Sequence, residues 1–324
     1  MKQIERIIQT VNQWAVEKRP FFLFVDFEMQ QPFLCAADEL DQQQIRIEFP
    51  HFRTGNQGEK EIKKIHLQKT PVNFETYQTQ FDRVHQELCY GNSFLTNLTS
   101  ITPIKTDSSL EEIFTQAHAR YKILFKDQWL CFSPETFIQI QEGNIWSFPM
   151  KGTIDASIQN AAQIILEDEK EMAEHYTIVD LIRNDLSQVA NEVRVDRFRY
   201  LDEIKTGGKN LLQVSSSIRG RLPVNYRSRL GAILFQLLPA GSVSGAPKKK
   251  TMEIIREAEL QNRGFYTGVA FYDDGQNLDS CVLIRFIEKQ NQGLVYRSGG
   301  GITTKSKARL EYQEMIDKIY VPLC

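Results

Sequence analysis

The order in which strand-like and helix-like segments follow one another is the feature that most limits the fold of this chain. Apolar runs of strand length, such as residues 21–27 and 129–140, come in successive groups, and an Asp-Asp-Gly turn at residues 273–275 can close such a group into an antiparallel pair. Helical patterns are inserted near residues 73–90, 159–187, 225–237, 248–258 and 307–320. A doubly wound parallel sheet would need a regular alternation of strand and helix. The sequence therefore predicts an α+β fold.

Composition and charge exclude several classes of protein. The 324 residues carry a net charge of −2, with 41% hydrophobic and 25% charged side chains, which is ordinary for a globular chain. No apolar run approaches the roughly 18 residues of a membrane-spanning helix, and the N-terminus lacks the apolar core of a signal peptide. The small net charge argues against a general nucleic-acid or membrane surface. We therefore expect a cytoplasmic protein that binds neither nucleic acid nor membrane.

Two Glu-x-x-Glu segments, Glu171 with Glu174 and Glu311 with Glu314, lie on predicted helices that are far apart in sequence. Residues three apart share one face of a helix, so each pair projects its carboxylates in one direction and the two pairs can meet across a cavity. Four converging carboxylates without a His or Cys partner suit a hard cation, Mg²⁺ rather than Zn²⁺. Either pair taken alone is more typical of a solvated helix face.

An acid and an amine recur at the ends of two predicted strands. Glu135 follows a Ser-Pro dipeptide, and Lys151 lies sixteen residues later in the segment Pro-Met-Lys-Gly-Thr. We expect both at turns that leave two neighbouring strands, where they can act as general acid and nucleophile. A lysine attacks only as the free amine, and burial beside cations lowers its pKa towards neutrality. Taken alone, Lys151 fits a surface turn and Glu135 a strand end.

Three segments offer groups that bind anions. The loop of residues 238–248 is rich in small residues and opens a predicted helix whose first N–H groups are free, although a tight glycine turn explains it as well. Residues 299–301 are glycines that expose consecutive backbone amides. About a dozen residues earlier, Arg285 offers a guanidinium that can hold a carboxylate through two hydrogen bonds. Tyr266 adds a hydroxyl, but its pattern also fits a core tyrosine.

Taken in order, these segments resemble the chorismate-utilising enzymes, which include anthranilate synthase component I, aminodeoxychorismate synthase component I, isochorismate synthase and salicylate synthase. The motifs that carry the resemblance lie at residues 133–135, 149–153, 171–189, 241–248, 279–285, 299–302 and 311–318. The resemblance implies two packed antiparallel sheets with helices on the outside. It also implies a single catalytic domain over residues 1–324, in which residues 1–88 form a shortened N-terminal part and residues 89–324 carry the catalytic motifs.

The resemblance assigns the two acid pairs to a Mg²⁺ site that grips the ring carboxylate of chorismate. Glu174 and Glu314 correspond to direct ligands, and Glu171 and Glu311 to companions that hold water. Glu135 corresponds to the general acid that protonates the departing C4 hydroxyl. The family's pattern therefore gives these carboxylates two different tasks.

The substrate contacts that the resemblance implies are Arg285, Tyr266, Ser244, Gly299, Gly300, Gly301, Lys318 and Gln213. Arg285, Tyr266 and the glycine amides correspond to the grip on the enolpyruvyl carboxylate. Lys318 lies one helical turn beyond the second acid pair and points the same way. Gln213 stands where related synthases have a histidine near the C4 leaving group, and glutamine can donate a hydrogen bond but cannot shuttle a proton at neutral pH.

Two positions separate the members of the family. Isochorismate and salicylate synthases carry a lysine that activates water where this chain has Leu95. Anthranilate synthases have alanine where Lys151 stands, and Lys151 matches the lysine nucleophile of aminodeoxychorismate synthases. The resemblance therefore implies that chorismate and ammonia become 4-amino-4-deoxychorismate, for p-aminobenzoate and folate synthesis, by addition of Lys151 at C2. Because no Cys-His-Glu amidotransferase motif is present, we expect ammonia from a separate glutamine amidotransferase subunit or from solution.

Departures from the family's pattern leave alternatives open. Leu95 and Gln213 replace polar groups, and Asn92 replaces a common aspartate. An anthranilate, isochorismate or salicylate synthase is one alternative. A chorismate-binding regulatory protein that has lost turnover is another, of a different class.

Overall fold

The computed structural model of the protein describes residues 2–55, 65–205 and 210–323. The helices of these ranges are α1 (Lys2–Glu17), α2 (Phe74–Cys89), α3 (Leu110–Gln116), α4 (Ala161–Glu167), α5 (Glu169–Ser187), α6 (Leu230–Gln236), α7 (Gly241–Ser244), α8 (Lys248–Ala258) and α9 (Ala308–Asp317). Short 3₁₀ turns lie at Ala37–Glu39 and Tyr226–Arg229.

The strands of the described ranges are β1 (Phe21–Val25), β2 (Phe33–Ala36), β3 (Ile45–Phe49), β4 (Phe52–Arg53), β5 (Gln68–Lys69), β6 (Leu95–Lys105), β7 (Tyr121–Phe125), β8 (Trp129–Ser133), β9 (Thr136–Gln141), β10 (Asn144–Ser147), β11 (Met150–Asp155), β12 (Asn191–Lys205), β13 (Asn210–Arg221), β14 (Gly245–Ala246), β15 (Val269–Asp273), β16 (Leu278–Val282), β17 (Phe286–Gln290) and β18 (Gly293–Ile302).

Two antiparallel sheets account for these strands. The first has the order β11-β13-β10-β9-β16-β15-β1-β2, with β12 also paired to β13. The second has the order β14-β6-β18-β17-β8-β7-β3-β4, with β5 also paired to β6. Strands from the N-terminal part, β1 and β2 in one sheet and β3 and β4 in the other, complete an edge of each sheet. The predicted α+β fold with two antiparallel sheets is confirmed.

The sheets pack face to face through an aromatic layer. Phe24 of the first sheet lies 5.3 Å, between ring centroids, from Trp129 of the second and 5.0 Å from Phe125. Alternate residues of β1 face opposite ways: Phe22 and Phe24 join this layer, whereas Phe21, Leu23 and Val25 join the core on the outer face of the first sheet. Strand β1 is therefore buried on both faces, which explains its uninterrupted apolar run.

Helices cover the outer faces of both sheets. α1 and α6 pack together on the first sheet, and α5 lies against β11, β12 and β13. α2, α8 and α9 lie against the second sheet, where they contact β6 and β18. α5 and α9, which carry the two acid pairs, therefore lie on different sheets. No helix of the described residues is both long and apolar enough to cross a membrane.

The predicted strand pattern over residues 129–140 is confirmed in part: it forms two strands, because the chain crosses between the sheets there. β8 belongs to the second sheet and β9 to the first. Between them Pro134 lacks an N–H for either ladder, and the N–H of Glu135 donates to Ser133 Oγ at 3.0 Å. Glu135 therefore lies at the crossing between the sheets.

The predicted helix over residues 159–187 is two helices. α4 ends at Glu167, and the side chain of Asp168 then accepts a hydrogen bond from the N–H of Glu171 at 2.8 Å, which caps α5. The helices predicted near residues 73–90 and 248–258 are confirmed as α2 and α8.

Candidate active site

On one side of the candidate site, α5 directs its acid pair at β11. Glu174 is 4% exposed, and its Oε2 lies 2.5 Å from the Nζ of Lys151. Glu171 faces the next residue of the strand, because a Cβ placed on Gly152 would lie 3.2 Å from Glu171 Oε2. Gly152 has φ +82°, a conformation that favours glycine. Strand β11 thus approaches α5 closely enough for Lys151 to pair with a buried acid.

On the other side, α9 directs its acid pair at β18. Lys318, which caps the C-terminal end of α9, lies 2.6 Å from Glu314 and donates from Nζ to the carbonyl of Gly299 at 2.9 Å. Glu311 is 4% exposed. A Cβ placed on Gly300 would lie 3.4 Å from Glu314 Oε1 and 3.8 Å from Glu311 Oε2. The missing side chain of Gly300 leaves room for both carboxylates.

The two acid pairs surround one space. A Cβ on Gly301 would lie 3.7 Å from Lys151 Nζ, and the charge of Glu314 on α9 acts on Lys151 together with those of Glu174 and Glu171 on α5. The donors are all carboxylate oxygens, a set whose chemistry fits Mg²⁺. Within residues 2–55, 65–205 and 210–323, no group of three or more His, Cys, Asp or Glu side chains is close enough together to hold a metal ion. Ammonium groups pair with Glu174 and Glu314 in this arrangement.

The pKa of Lys151 is raised rather than lowered. Burial by itself lowers the pKa of this ammonium, but the carboxylate of Glu174, and then those of Glu171 and Glu314, outweigh burial and raise it above its ordinary value. The nearest charges here belong to the carboxylates, and the expected lowering of this pKa beside a cation stays a prediction. Lys151 therefore carries its proton in this arrangement.

Glu135 lies where the sheets cross and is one of the residues that line a small pocket. Burial raises the pKa of Glu135, and a hydrogen bond from Ser242 Oγ at 2.5 Å offsets part of that increase, as do the charges of Arg285, Lys318 and Lys151. A carboxyl group with a raised pKa can hold a proton and donate it to a leaving group.

The predicted placement of Glu135 and Lys151 at turns of neighbouring strands is wrong in part. Glu135 does lie between two strands, but Lys151 is the second residue of β11. β10 and β11 pair with β13 in one continuous register and β9 pairs with β10, so the strands beside the two residues are neighbours, as predicted. The pairing of β11 with β13 is irregular between Met150 and Thr153, so the regular ladder is interrupted at Lys151.

Arg285 has the geometry of an anion-binding group. Its φ of +54° is unusual for a residue with a side chain, and its carbonyl accepts from the N–H of Phe132 at 3.1 Å. Its Nε is buried without a hydrogen-bond partner. Tyr266 is 4% exposed, and burial raises its pKa to about 12, so the nearby hydroxyl stays neutral. A buried guanidinium with an unused donor favours an anionic ligand.

The expectation that Gly299, Gly300 and Gly301 expose three consecutive amides is wrong. All three lie inside β18 and pair with residues 97–99 of β6. Successive residues of a strand direct their N–H groups to opposite sides, so neighbouring amides cannot all face one ligand. These glycines leave space at the site, and the binding of substrate by an amide on alternate residues stays a prediction.

Ser244 and Gln213 form hydrogen bonds with neighbouring groups of the protein. The hydroxyl of Ser244 is fully buried and donates to the carbonyl of Ala240 at 2.9 Å. Gln213, on β13, donates from Nε2 to Thr153 Oγ1 at 3.3 Å, on the strand that carries Lys151. The roles of both in substrate binding remain predictions.

Two polar residues at the site were not predicted. Ser242 lies in the small-residue loop of residues 238–248. Its hydrogen bond to Glu135 was not predictable, because it depends on where the chain crosses between the sheets. His175, next to Glu174, is fully buried, with Nε2 2.7 Å from Ser216 Oγ. Burial lowers the pKa of His175 to about 4, with smaller effects of Arg199 and Lys151, so the imidazole is neutral. The sequence signal that could have identified His175 is its position next to Glu174.

Comparison with known proteins identifies the family. Residues 5–323 match the family described as chorismate binding enzyme. The chain belongs to this family. The chorismate-binding enzyme is 47% identical to an uncharacterised PabA-like protein of Pasteurella multocida, with 99% of each chain covered.

More distant relatives of the chorismate-binding enzyme have named activities. It is 34% identical to anthranilate synthase component 1 of Aquifex aeolicus over 57% of this chain and 38% of that one. It is 28% identical to aminodeoxychorismate synthase component 1 of Bacillus subtilis over 77% and 55%. Its fold matches the menaquinone-specific isochorismate synthase MenF of Escherichia coli with a TM-score of 0.72, at 16% identity, over 98% of this chain and 80% of that one.

Proposed function

We propose that this chorismate-binding enzyme is an aminodeoxychorismate synthase component I, which converts chorismate and ammonia to 4-amino-4-deoxychorismate and water. The observation that carries the proposal is the position of Lys151. Its amine lies between the acid pair of α5 and the glycines of β18, where a substrate held by the charged groups would meet it. An amine in that position is a nucleophile that can add to an electrophilic ring carbon.

Mg²⁺ fits the donor set, and Glu174 and Glu314 would hold it, with Glu171 and Glu311 holding water around it. When bound, the ion supplies positive charge to the ring carboxylate of chorismate. The enolpyruvyl carboxylate is then left for Arg285, whose Nε lacks a partner. Lys318 adds a second positive charge near Arg285, since the charges of both residues lower the pKa of Glu135.

In the proposed reaction, Lys151 leaves its ion pair with Glu174, loses its proton to solvent and adds to C2 of chorismate. Glu135 gives its proton to the C4 hydroxyl, which leaves as water while both ring double bonds shift. Ammonia then adds at C4 and returns one proton to Glu135, both double bonds shift back, and the bond between C2 and Lys151 breaks, which restores the lysine amine and the ring. The net change replaces one hydroxyl by one amino group.

Leu95 supports amination over hydration. It is 4% exposed, and its Cδ1 would lie 3.1 Å from a Cβ on Gly301, so an apolar group faces the space beside Lys151. An aliphatic side chain cannot activate water. In this proposal, the ammonia comes from a glutamine amidotransferase subunit or from ammonium in solution.

The proposal is tested by incubating the protein with chorismate, Mg²⁺ and ammonium and identifying the product by chromatography. We expect 4-amino-4-deoxychorismate; anthranilate, isochorismate or salicylate as the main product would refute the proposal. Intact-protein mass spectrometry without ammonium should detect a covalent adduct in the wild type and in Lys289→Ala, a surface lysine control, but not in Lys151→Ala. Chorismate binding without any turnover would indicate a regulatory protein instead.

A further inference from the structure

Tyr320 lies three residues beyond the end of α9 and covers Arg285. Its ring centroid is 5.2 Å from Cζ of the guanidinium. The side chain of Tyr320 is 46% exposed, whereas Nε of Arg285 is buried, so the ring lies on the outer side of the cation. A guanidinium stacked on an aromatic face keeps its N–H groups, which lie in its own plane, available for other partners.

Aromatic groups surround Arg285. The charges and dipoles of Tyr296, Tyr320 and Tyr266 act on the guanidinium, Tyr320 also contributes a side-chain hydrogen bond, and Tyr296 is fully buried. The positive φ of Arg285 fixes the direction in which the side chain leaves the backbone, but it does not fix the end of a long flexible chain. A stacked ring can supply that second constraint.

The chain around Tyr320 is itself anchored. The hydroxyl of Tyr296 donates to the carbonyl of Tyr320 at 3.0 Å. Two residues later, the carbonyl of Pro322 accepts from the N–H of His118 at 2.7 Å, and two residues earlier Lys318 is bound to Gly299. With contacts on both sides, the backbone of Tyr320 holds its ring over the guanidinium.

We propose that Tyr320 is a positioning residue that holds the guanidinium of Arg285 in the orientation that receives a carboxylate of the substrate. This inference rests on the proposed function only in taking chorismate, a small dicarboxylate, as the ligand. Stacking acts on binding of the carboxylate rather than on the bond changes at C2 and C4. Loss of the ring therefore weakens ground-state binding and leaves the chemical step almost unchanged.

The test compares Tyr320→Ala with Tyr320→Phe, which keeps the ring, and with Tyr90→Ala, an exposed tyrosine at the end of α2. Calorimetric titration with chorismate in the presence of Mg²⁺ should give a Kd roughly threefold to tenfold higher for Tyr320→Ala than for the wild type. Tyr90→Ala should bind like the wild type, and Tyr320→Phe, which keeps the ring but lacks the hydroxyl that bonds to Arg285, should bind more tightly than Tyr320→Ala and no more tightly than the wild type. In the amination assay, KM should rise by the same factor while kcat stays nearly constant.

Three outcomes overturn the inference: unchanged binding in Tyr320→Ala, tighter binding in that variant, and binding in Tyr320→Phe as weak as in Tyr320→Ala. Tighter binding would mean that Tyr320 competes with the ligand. If Tyr320→Ala unfolds, Tyr320→Leu retains an apolar side chain and gives the same comparison. Because titration does not depend on the product, weaker binding supports the inference even if the amination assay fails.

Discussion

The Nζ of Lys151 lies 2.5 Å from Oε2 of Glu174, so the proposed nucleophile and a proposed metal ligand are paired with each other. The two side chains lie on packed elements, β11 and α5, and Glu174 is almost fully buried. Buried carboxylates that face one another need compensating positive charge. Lys151 supplies that charge to the acids of α5, and Lys318 supplies it to Glu314.

A divalent cation must compete with Lys151 for Glu174. Lys151→Met keeps much of the side-chain volume but removes the positive charge, so Glu174 loses its ion pair with Lys151. We expect the affinity for Mn²⁺ or Mg²⁺ to rise by at least about tenfold, measured by calorimetry or by the electron paramagnetic resonance of free Mn²⁺. Lys289→Met should bind the metal like the wild type. Weaker metal binding in Lys151→Met would contradict competition for Glu174.

Ser242 sets the pH dependence of Glu135. Its hydroxyl donates to the carboxylate and favours the charged form, against the burial that raises the pKa of Glu135. Ser242→Ala removes the donor, so the pKa of Glu135 rises further while Arg285, Lys318 and Lys151 remain in place. A general acid works while it is protonated, so the high-pH decline of kcat/KM should move to higher pH. The control is Ser187→Ala, at the end of α5, for which the same profile should stay in place.

If the high-pH decline of kcat/KM is unchanged in Ser242→Ala, deprotonation of Glu135 is not what limits the reaction at high pH. Thermal unfolding of the variant separates this result from a loss of structure.

The local sequence pattern was sufficient to predict several helices and strands, but it was insufficient where the two sheets meet. α2 has Asn73 as its cap, which accepts from the N–H of Thr76 at 2.8 Å, together with an apolar stripe, so the sequence located it. Residues 129–140 read as one strand, because both halves are apolar and neither shows that β8 and β9 belong to different sheets. That division depends on which strands from distant parts of the chain complete each sheet.

The candidate site shows the same limit. The spacing of Glu171 and Glu174 on a helix was enough to predict a shared face, because i,i+3 geometry is local. The pairing of Lys151 with Glu174 was not predictable, since it depends on β13 holding β11 beside α5. The expectation for the glycines failed for a related reason: the run of residues 299–301 does not reveal that β6 lies alongside it.

Arg263 stabilises the loop that carries Ser242. It is 1% exposed, pairs with Glu259 at 2.6 Å and donates to the carbonyls of Val243 and Asn97, both at 2.7 Å. Arg263→Met removes the ion-pair partner of the buried Glu259, which keeps only the hydrogen bonds from Thr99, and the donor to two carbonyls, so we expect the free energy of unfolding to fall by about 3–5 kcal/mol. Denaturant titration measures this loss.

The control is Arg83→Met, because the pair of Arg83 with Glu257 is about half exposed on both sides. Exposed ion pairs contribute little, so the midpoint of unfolding should barely change. Equal losses in Arg263→Met and Arg83→Met would show that burial of the Arg263 pair has no special effect on stability.

Neighbouring glycines of β18 should respond differently to the same added methyl group. A Cβ on Gly299 would lie 2.3 Å from the carbonyl oxygen of Leu98, so Gly299→Ala must displace backbone and should destabilise the fold by about 1–3 kcal/mol. A Cβ on Gly300 meets only the ends of Glu314, Lys318 and Glu311, at 3.4 to 3.8 Å. Gly300→Ala should therefore fold normally but bind chorismate and Mg²⁺ more weakly. Thermal unfolding and calorimetric titration of both variants check this contrast, and normal ligand binding by a folded Gly300→Ala would place the ligands elsewhere.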